Sequence, residues 1–293
     1  MSKPEKAAIA VIGGSGLYEM KGLEDVREVR VKTPFGDPSD AVILGTVAGV
    51  RTAFLPRHRR GHTILPSEIN GRANVWALKS LGVERIISIG AVGSLREDVA
   101  PRHFLFPDQL VDETKRRTST FFGDGIVGHV SFGHPFCEDL RKLLLEQARR
   151  LEVTCHDGGV YCCMEGPAFS TKAEADMHRK LGYSIIGMTV IPEAKLAREA
   201  EICYSTVSVI TDYDCWKEGE EVTAAGVVET LLTNIAVAQR LISRAVPQLA
   251  KLPRRCPCAT ALSTAVFTRP DAMDKAAYER LELLIGKYVP APA

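Results

Sequence analysis

The sequence has 293 residues, 45% of them hydrophobic and 25% charged, and its 37 Lys and Arg residues nearly balance 36 Asp and Glu residues. This apolar content excludes an intrinsically disordered chain, and the formal net charge of +1 argues against a protein that binds nucleic acid mainly through phosphate contacts. The length is that of one large domain or two small ones, either long enough to bury a sizeable core.

The N-terminal apolar run at residues 7–12 is too short for the apolar part of a signal peptide and ends at glycines. No apolar stretch of the sequence approaches the roughly 20 residues that span a bilayer. We therefore expect a cytoplasmic protein with neither a membrane nor a nucleic acid as its partner.

Hydrophobic spacing and turn residues predict alternating strands and helices along the chain. Strands are predicted at residues 8–12, 85–90, 184–188 and 202–210, with a hairpin formed by 40–45 and 51–55. Helices are predicted at 66–81, 140–151, 171–181, 192–201, 223–250 and, after a proline-rich break, about 271–288. The alternation predicts an α/β fold. Since no linker or repeat divides the chain, we expect a single domain with a core at about 8–250 and a C-terminal helical extension at about 251–293.

A glycine-rich segment follows the first predicted strand, at a position where open α/β sheets bind ligands. It consists of Gly13, Gly14, Ser15 and Gly16. Glycines let the backbone approach an anion, and Ser15 can donate from both its amide and its hydroxyl. The spacing fits neither a dinucleotide fingerprint nor a P-loop, so the alternative is a plain tight turn.

A basic segment at residues 56–62 carries three arginines and two histidines directly after a predicted strand, beginning with Arg57 and His58. Arg offers planar, paired donors to oxyanions. We interpret the segment as a phosphate-binding loop, and a solvated basic loop is the alternative.

Small and polar residues follow two more predicted strands. Gly90, Ala91 and Gly93 come after the strand at 85–90 and permit close approach of a ligand, with tight packing as the alternative. Residues 164–170 follow the apolar run at 159–164, and Met188 and Thr189 end the strand at 184–188. Thr189 is the residue of this group that we expect to reach a ligand.

Two aspartates follow the apolar run at 202–210. Asp212 and Asp214 have a spacing of two, so extended backbone points both carboxyls to one side. Two neighbouring carboxylates repel, so the pKa of one rises and the pair can donate one hydrogen bond and accept another. A 6-aminopurine presents that pattern, with an acceptor at N7 and a donor at N6. The alternative is an Asp-rich turn that caps the next helix.

The sequence contains 8 cysteines. Cys155, Cys162 and Cys203 are examples that lie in apolar surroundings, where free cysteines usually pack into the core. Cys256 and Cys258 flank a proline in a turn-like segment without the second Cys or His pair of a zinc site. We expect ordinary surface thiols there, with a redox pair as the alternative, and no metal site.

Taken in order, these segments resemble the nucleoside phosphorylase family of trimeric purine enzymes. The resemblance covers about residues 8–245. It rests on residues 13–17 (GGSGL), 33–39 (TPFGDPS), 57–58 with 62–63, 74–78 (NVWAL), 93–96 (GSLR), 165–167 (EGP), 169–170, 188–189 with 192–193, and 211–216 (TDYDCW).

The resemblance implies a phosphorylase/hydrolase-like fold with a mixed central β-sheet flanked by helices. It also implies reversible phosphorolysis of 5′-deoxy-5′-methylthioadenosine to adenine and 5-methylthioribose 1-phosphate. Inorganic phosphate is then a co-substrate, no metal or organic cofactor takes part, and the chain assembles as a homo-oligomer, in this family a trimer.

The family's site residues carry over by position. Phosphate binding is implied for Ser15, Arg57, His58, Gly90, Ala91 and Thr189. The catalytic pair would be Asp212 at N7 and Asp214 at N6. The remaining substrate-binding residues would be Met188 under the ribose, Phe169 and Ser170 at the base, Tyr213, Ala225, Val228, and His129 in the neighbouring subunit's site.

Three departures from the family pattern stand out. Gly90 replaces a threonine of the human-type enzymes, which removes one phosphate-binding hydroxyl, and Glu229 replaces an apolar residue of the 5′-pocket. The third departure is Ala225, which follows a varied Thr-Ala-Ala stretch. Apart from these departures, Cys256 and Cys258 resemble a Cys-x-Cys of some prokaryotic relatives, for which a disulfide role is suggested.

Three other functions stay open at this stage. A phosphorylase of 6-oxopurine nucleosides or methylthioinosine would need a donor at position 6, which Asn supplies better than Asp212 or Asp214. A hydrolase that uses water and a nucleotide-binding module without activity are the other two. Cleavage without phosphate would identify the hydrolase, and adenine binding without turnover would identify the module.

Overall fold

The computed structural model describes residues 6–14, 16–17, 19–20, 22–219 and 222–292. Among these residues, eleven strands form one mixed sheet, and six α-helices pack around it. The strands are β1 Ile9–Gly13, β2 Leu23–Val29, β3 Val42–Val47, β4 Val50–Pro56, β5 Arg85–Ser94, β6 Phe104–Phe106, β7 Gln109–Glu113, β8 Cys155–Asp157, β9 Val160–Met164, β10 Ile185–Gly187 and β11 Cys203–Asp212. The helices are α1 Gly71–Ser80, α2 Glu138–Arg149, α3 Lys172–Lys180, α4 Val190–Glu199, α5 Ala224–Lys251 and α6 Lys275–Ile285. The expected α/β fold with a mixed central sheet is confirmed.

Parallel pairing of four strands brings their carboxyl ends to one edge of the sheet. The strand β1 pairs with β4 on one side and β5 on the other, and β5 pairs with β11, all in parallel. The strand β10 then joins β5 in the antiparallel sense and β9 in the parallel sense. Antiparallel β2 and β3 extend the sheet beyond β4.

The two faces of the sheet bury separate apolar clusters, as the alternation along β1 shows. Ala10 and Ile12 belong to the cluster that includes Leu78 of α1 and Leu281 of α6. Ile9 and Val11 belong to the cluster that receives α2 and α5. Central strands covered on both faces need continuous apolar runs, which explains the unbroken apolar sequence of β1. The C-terminal helix α6 therefore shares its core with the sheet.

Most predicted elements are confirmed within a few residues, but two predicted helices are shorter than expected. The helix expected at 66–81 is a 3₁₀ turn at Pro66–Glu68 followed by α1, because Ile69 is extended. The Asn70 side chain then accepts from the Ala73 amide, 3.1 Å away, and starts α1 afresh. The terminal helix likewise begins only at α6, where Asp274 is the N-cap.

Five strands, β2 and β6–β9, were not among the predicted elements. Four of them have three to five residues, and β2 is mostly exposed. Neither a short segment nor an exposed one carries a clear hydrophobic pattern.

The helix α5 matches the predicted range of 223–250 within one residue at each end, but it is more apolar than we expected. Of the described helices, it alone is long and apolar enough to cross a bilayer by length and composition. Its C-terminal half packs onto the sheet and α2, with Ala238, Leu241, Ile242, Ala245, Val246 and Leu249 buried in the core. The contacts are those of a core helix of a folded domain.

The expectation that Cys256 and Cys258 lack a second cysteine pair is wrong in three dimensions. Cys137 at the start of α2 and Cys203 at the start of β11 lie beside them, with all four sulfur atoms within 4.8 Å of one another. Cys258 is buried and Cys256 half-buried, so neither is a surface thiol. Cys137 and Cys203 lie far from Cys256 and Cys258 in the sequence, so the sequence alone did not identify them as the second pair.

Candidate active site

Four predicted segments meet at the carboxyl edge of the central strands. The basic segment docks directly on the glycine-rich turn, because the Arg57 amide donates to the Gly13 carbonyl over 2.9 Å. The segment at 90–93, expected to be a loop, instead continues β5, since Gly90 pairs with Ser208 and Gly93 with Asp212 of β11. This edge is where open α/β sheets place their ligands.

Arg57 is fully buried, with 1% of its surface exposed. Its Nε donates to Glu193 Oε1 over 2.5 Å, and Nη2 reaches Glu193 Oε2 at 3.2 Å. Nη2 also donates to Ser88, and Nη1 to the Ile89 carbonyl over 3.0 Å. Burial disfavours the charged form, but the Glu193 charge outweighs it and raises the pKa of Arg57. Since each Nη carries two hydrogens, Nη1 retains one N–H beyond its bond to Ile89.

Arg57, Gly90 and Thr189 surround one small space. A methyl group placed on Gly90 would lie 3.2 Å from Thr189 Oγ1 and 4.0 Å from Arg57 Nη1. The space therefore has a hydroxyl on one side and a guanidinium on the other, which suits an oxyanion. Ala91 is the half-buried neighbour of Gly90 on β5. Ser15, which was also expected to bind phosphate, lies outside the described residues.

His58 is nearly buried beside Arg57 and stacks on His62, with ring centroids 4.4 Å apart. Its Nδ1 lies 2.9 Å from the Ile64 carbonyl, which can only accept, so Nδ1 carries the proton and Nε2 is free to accept. Burial and the Arg57 charge lower the pKa of His58 to about 4. A neutral His58 can accept a hydrogen bond at Nε2 from the P–O–H group of hydrogenphosphate.

The two aspartates sit in different environments although they are two residues apart. Asp212 Oδ1 accepts from the Asp214 amide over 2.8 Å, and Oδ2 accepts from the Thr211 hydroxyl over 2.7 Å. Asp214 is 4% exposed, and its Oδ2 is buried without a hydrogen-bond partner among the described residues. Burial and the nearby Asp212 charge raise the pKa of Asp214, although hydrogen bonds from the Ser170 and Cys215 side chains oppose the shift. An unpartnered buried carboxyl oxygen is costly unless a ligand satisfies it.

A register shift in β11 produces this arrangement. The pairing with β5 slips between Ile210 and Asp212, and Asp214 adopts a positive φ of 50°. Bulges of this kind re-aim side chains beside active sites. The Tyr213 hydroxyl lies 3.4 Å from the Glu97 carbonyl, and Tyr213 also lines the cavity beside Asp212.

The expected base-binding segment is tied to the aspartate turn. The Cys215 thiol donates to the Ser170 carbonyl over 2.8 Å, and Ser170 itself is nearly buried. Phe169, next to it, is 42% exposed. Met188 packs its sulfur against Gly166, where an added methyl group would lie 2.5 Å from Sδ. Met188, Ser170 and Phe169 thus belong to one wall.

Arg117 holds this wall together, and the sequence analysis missed it. Its guanidinium donates to the carbonyls of Met188 and Ile191 at 2.5 and 2.6 Å and to those of Met164 and Glu165 at 3.2 and 2.7 Å. Glu193 was likewise noted only as part of the resemblance, without a role. The groups that Arg117 and Glu193 contact are not their neighbours in the sequence, so no local pattern identifies these two residues.

An open cavity of about 330 Å³ lies beside Asp212 and under the first turns of α5. Gly226, Val227 and Thr230 line it from α5. Ala225 and Val228, the residues expected to bind substrate, are exposed instead, because the helical repeat places them on the opposite side of α5. The mid-part of α5 covers the glycine-rich turn, where Gln239 donates to the Gly16 carbonyl over 2.6 Å.

His129 lies apart from this cavity. It is exposed and packs edge-to-face on Phe267, with ring centroids 5.3 Å apart and Phe267 itself 67% exposed. The structure of one chain does not bring His129 to the aspartates.

Comparison with known proteins places this arrangement in a family. The model of the Phosphorylase superfamily matches residues 8–247. The chain belongs to the phosphorylase superfamily. Among its relatives, S-methyl-5′-thioadenosine phosphorylase of Geobacter sulfurreducens is 52% identical over 283 residues, 96% of this chain and 99% of that protein. The enzyme of the same name from Koribacter versatilis is 53% identical, covering 97% of each chain.

Solved structures of superfamily members share the fold. A methylthioadenosine phosphorylase from an Antarctic soil metagenomic library superposes with a TM-score of 0.92 at 45% identity, covering 96% of this chain and 99% of that chain. Methylthioadenosine phosphorylase from Schistosoma mansoni, solved in complex with adenine, has a TM-score of 0.81 at 33% identity, covering 97% and 99%.

Proposed function

We propose that this protein catalyses the phosphorolysis of 5′-deoxy-5′-methylthioadenosine to adenine and 5-methylthioribose 1-phosphate. The observation that carries the proposal is the buried Asp214 Oδ2 beside Asp212, which has no hydrogen-bond partner among the described residues. It lies at the edge where Arg57, Gly90 and Thr189 surround one small space. The names of relatives about half identical over nearly the whole chain support the same substrate. The two products would feed purine and methionine salvage.

The aspartates would recognise and activate the base. Breaking the N-glycosidic bond leaves negative charge on the purine. A proton that Asp212 takes up from solvent and delivers to N7 would neutralise it, a contribution of roughly 10²–10⁴-fold. Asp214 Oδ2 would accept from the 6-amino group and so gain the partner that it lacks in the free protein. A 6-oxo base has no donor at that position and would leave Asp214 unsatisfied.

Phosphate would attack C1′ from the side of Gly90. Arg57 Nη1 and the Thr189 hydroxyl would donate to it, and the Nε2 of neutral His58 would accept a hydrogen bond from its P–O–H group. The bound anion is then both the nucleophile and the counter-charge of the cation-like ribose. Inorganic phosphate is a co-substrate in this scheme, which needs no cofactor.

A panel of methylthioadenosine, methylthioinosine, adenosine and inosine tests the proposal, each with and without phosphate in dialysed protein. We expect phosphate-dependent turnover of methylthioadenosine well above the 6-oxo substrates. Turnover of only the 6-oxo substrates would contradict the proposal, as would cleavage without phosphate or adenine binding without turnover.

We also propose that the chain works as a trimer in which His129 completes the neighbouring subunit's site. Phe267 and Val127 beside His129 support this, because adjoining exposed apolar side chains commonly mark interfaces. They are 67% and 49% exposed, and the Phe267 amide donates to the Val127 carbonyl over 2.9 Å. Light scattering should give the mass of three chains. Mixing inactive Asp212→Asn subunits with His129→Ala subunits should recover activity, since some mixed sites carry both intact residues. A fully active monomer would refute the assignment.

The cytoplasmic location expected from the sequence stays a prediction, which fractionation of the source cells can test.

A further inference from the structure

Four cysteines from three separate parts of the chain meet on the α2 and α5 face of the sheet. Cys137 precedes α2, Cys203 begins β11, and Cys256 and Cys258 flank Pro257 in the C-terminal extension. All four sulfur atoms lie within 4.8 Å of one another, and the Cys203 and Cys256 sulfurs are 3.2 Å apart. No step of the proposed reaction uses them.

The spacing of the sulfur atoms suits one central ion. A tetrahedral Zn²⁺ with Zn–S bonds of about 2.3 Å places its four sulfurs about 3.8 Å from one another. The one short pair is 3.2 Å apart and no pair exceeds 4.8 Å, so adjustments of about an ångström or less would complete the tetrahedron. Two disulfides would require close approach in only two of the six sulfur pairs, whereas here all six pairs are close.

The charges around the cluster suit an anionic metal–thiolate centre. A cavity of about 10 Å³, the size of a single water molecule, borders Cys137, Cys203 and Cys256. Arg85 and Arg254 line it, and Arg254 Nε is buried without a hydrogen-bond partner among the described residues. Asp139 also lines the cavity, and Glu84 lies 3.6 Å from Arg85. Zn²⁺ with four thiolates carries a net charge of −2, which the two guanidiniums partly offset.

We propose that Cys137, Cys203, Cys256 and Cys258 form a structural zinc site that clips the C-terminal extension to the core. Zn²⁺ binds as the four thiols release four protons, with no change in oxidation state. The site joins residues 256–258 to the starts of β11 and α2. All four positions are filled by cysteine, so the role is structural.

The test measures the zinc content, the oxidation state of the thiols and the absorption spectrum with cobalt. It uses the full-length protein purified under reducing conditions with zinc present. We expect one zinc per chain by elemental analysis and by native mass spectrometry. Cys256→Ser and Cys258→Ser should each lose it, whereas Cys155→Ser, a half-buried cysteine outside the cluster, should keep it. Titrating Co²⁺ into metal-free wild-type protein should produce thiolate-to-cobalt absorption bands of a tetrahedral site. This last measurement needs no variant to fold.

Two outcomes would overturn the zinc site. In the first, the denatured protein holds no metal and is lighter by two hydrogens for each disulfide bond. If it then gives no cobalt bands after mild reduction, the cluster forms disulfides. Zinc retained at full stoichiometry in the Cys256→Ser and Cys258→Ser double variant would place the ion elsewhere.

Discussion

Arg57 and Glu193 lie 136 residues apart in the chain and form a buried bidentate ion pair, with Arg57 Nε 2.5 Å from Glu193 Oε1. Glu193 also accepts from the Tyr204 hydroxyl over 2.9 Å. The carboxylate neutralises the guanidinium and fixes its plane. Glu193 is therefore a positioning residue for the phosphate site, reached through Arg57.

Replacing Glu193 by Gln should both destabilise the protein and weaken phosphate binding. The substitution leaves a buried cation unpaired, which costs about 3–5 kcal/mol, and it frees Arg57 to rotate. We expect a lower melting temperature and a raised KM for phosphate, with a smaller change in the KM for the nucleoside. Tyr204→Phe is the control, because it removes one hydrogen bond and keeps both charges, at a cost of about 1 kcal/mol. An unchanged KM for phosphate in Glu193→Gln would limit Glu193 to a structural role.

The two aspartates should respond differently to conversion into asparagine. Asp212→Asn should lower kcat on methylthioadenosine by roughly 10²–10⁴-fold, since an amide cannot deliver a proton to N7. Asp214→Asn should mainly shift the ratio of turnover from methylthioadenosine toward methylthioinosine, because the amide supplies the donor that a 6-oxo group needs. Asp98→Asn, an exposed carboxylate paired with Arg96, is the control and should behave as wild type. Unchanged kcat in Asp212→Asn would remove Asp212 from the mechanism.

A hydroxyl restored at position 90 should strengthen phosphate binding. The added Cβ lies 3.2 Å from Thr189 Oγ1, so Thr189 must move by a few tenths of an ångström in any β-branched variant. Gly90→Thr and Gly90→Val share that crowding and differ only in the hydroxyl. We expect the KM for phosphate to be about tenfold lower in the Thr variant than in the Val variant, the value of a hydrogen bond to a charged group. Equal KM values would show that position 90 does not face the anion.

Glu199 should make the protein less stable at alkaline pH. Burial raises its pKa from about 4.5 to about 7, despite hydrogen bonds from the Phe121 amide and the Thr120 hydroxyl. Because the folded-state pKa lies above the unfolded value, the folded protein binds more protons, and stability falls as pH rises from about 4.5 to 7. Glu199→Gln should remove this slope and raise stability at pH 8 by on the order of 2 kcal/mol. Melting temperatures at pH 5 and pH 8 check this, and the same gain at both pH values would contradict it.

The sequence by itself determined the local features of this protein. Strand and helix alternation, the Thr171 and Glu174 capping box of α3 and the Thr223 cap of α5 all follow from short-range preferences. The spacing of Asp212 and Asp214 likewise predicted two carboxyls on one side. The structure brings both side chains beside Gly93, but through a register shift and a positive φ at Asp214 instead of an extended backbone. It also gives the two carboxyls unequal environments that the sequence could not contain.

Only the tertiary structure decided which distant residues meet. It joined Arg57 to Glu193, gathered four cysteines into one cluster and turned Gly226, Val227 and Thr230 of α5, instead of Ala225 and Val228, toward the cavity. Such contacts depend on strand order and on which helix face packs against the sheet. Burial of apolar surface over the whole chain determines the strand order and the packed helix face. A short stretch of neighbouring residues does not contain that information.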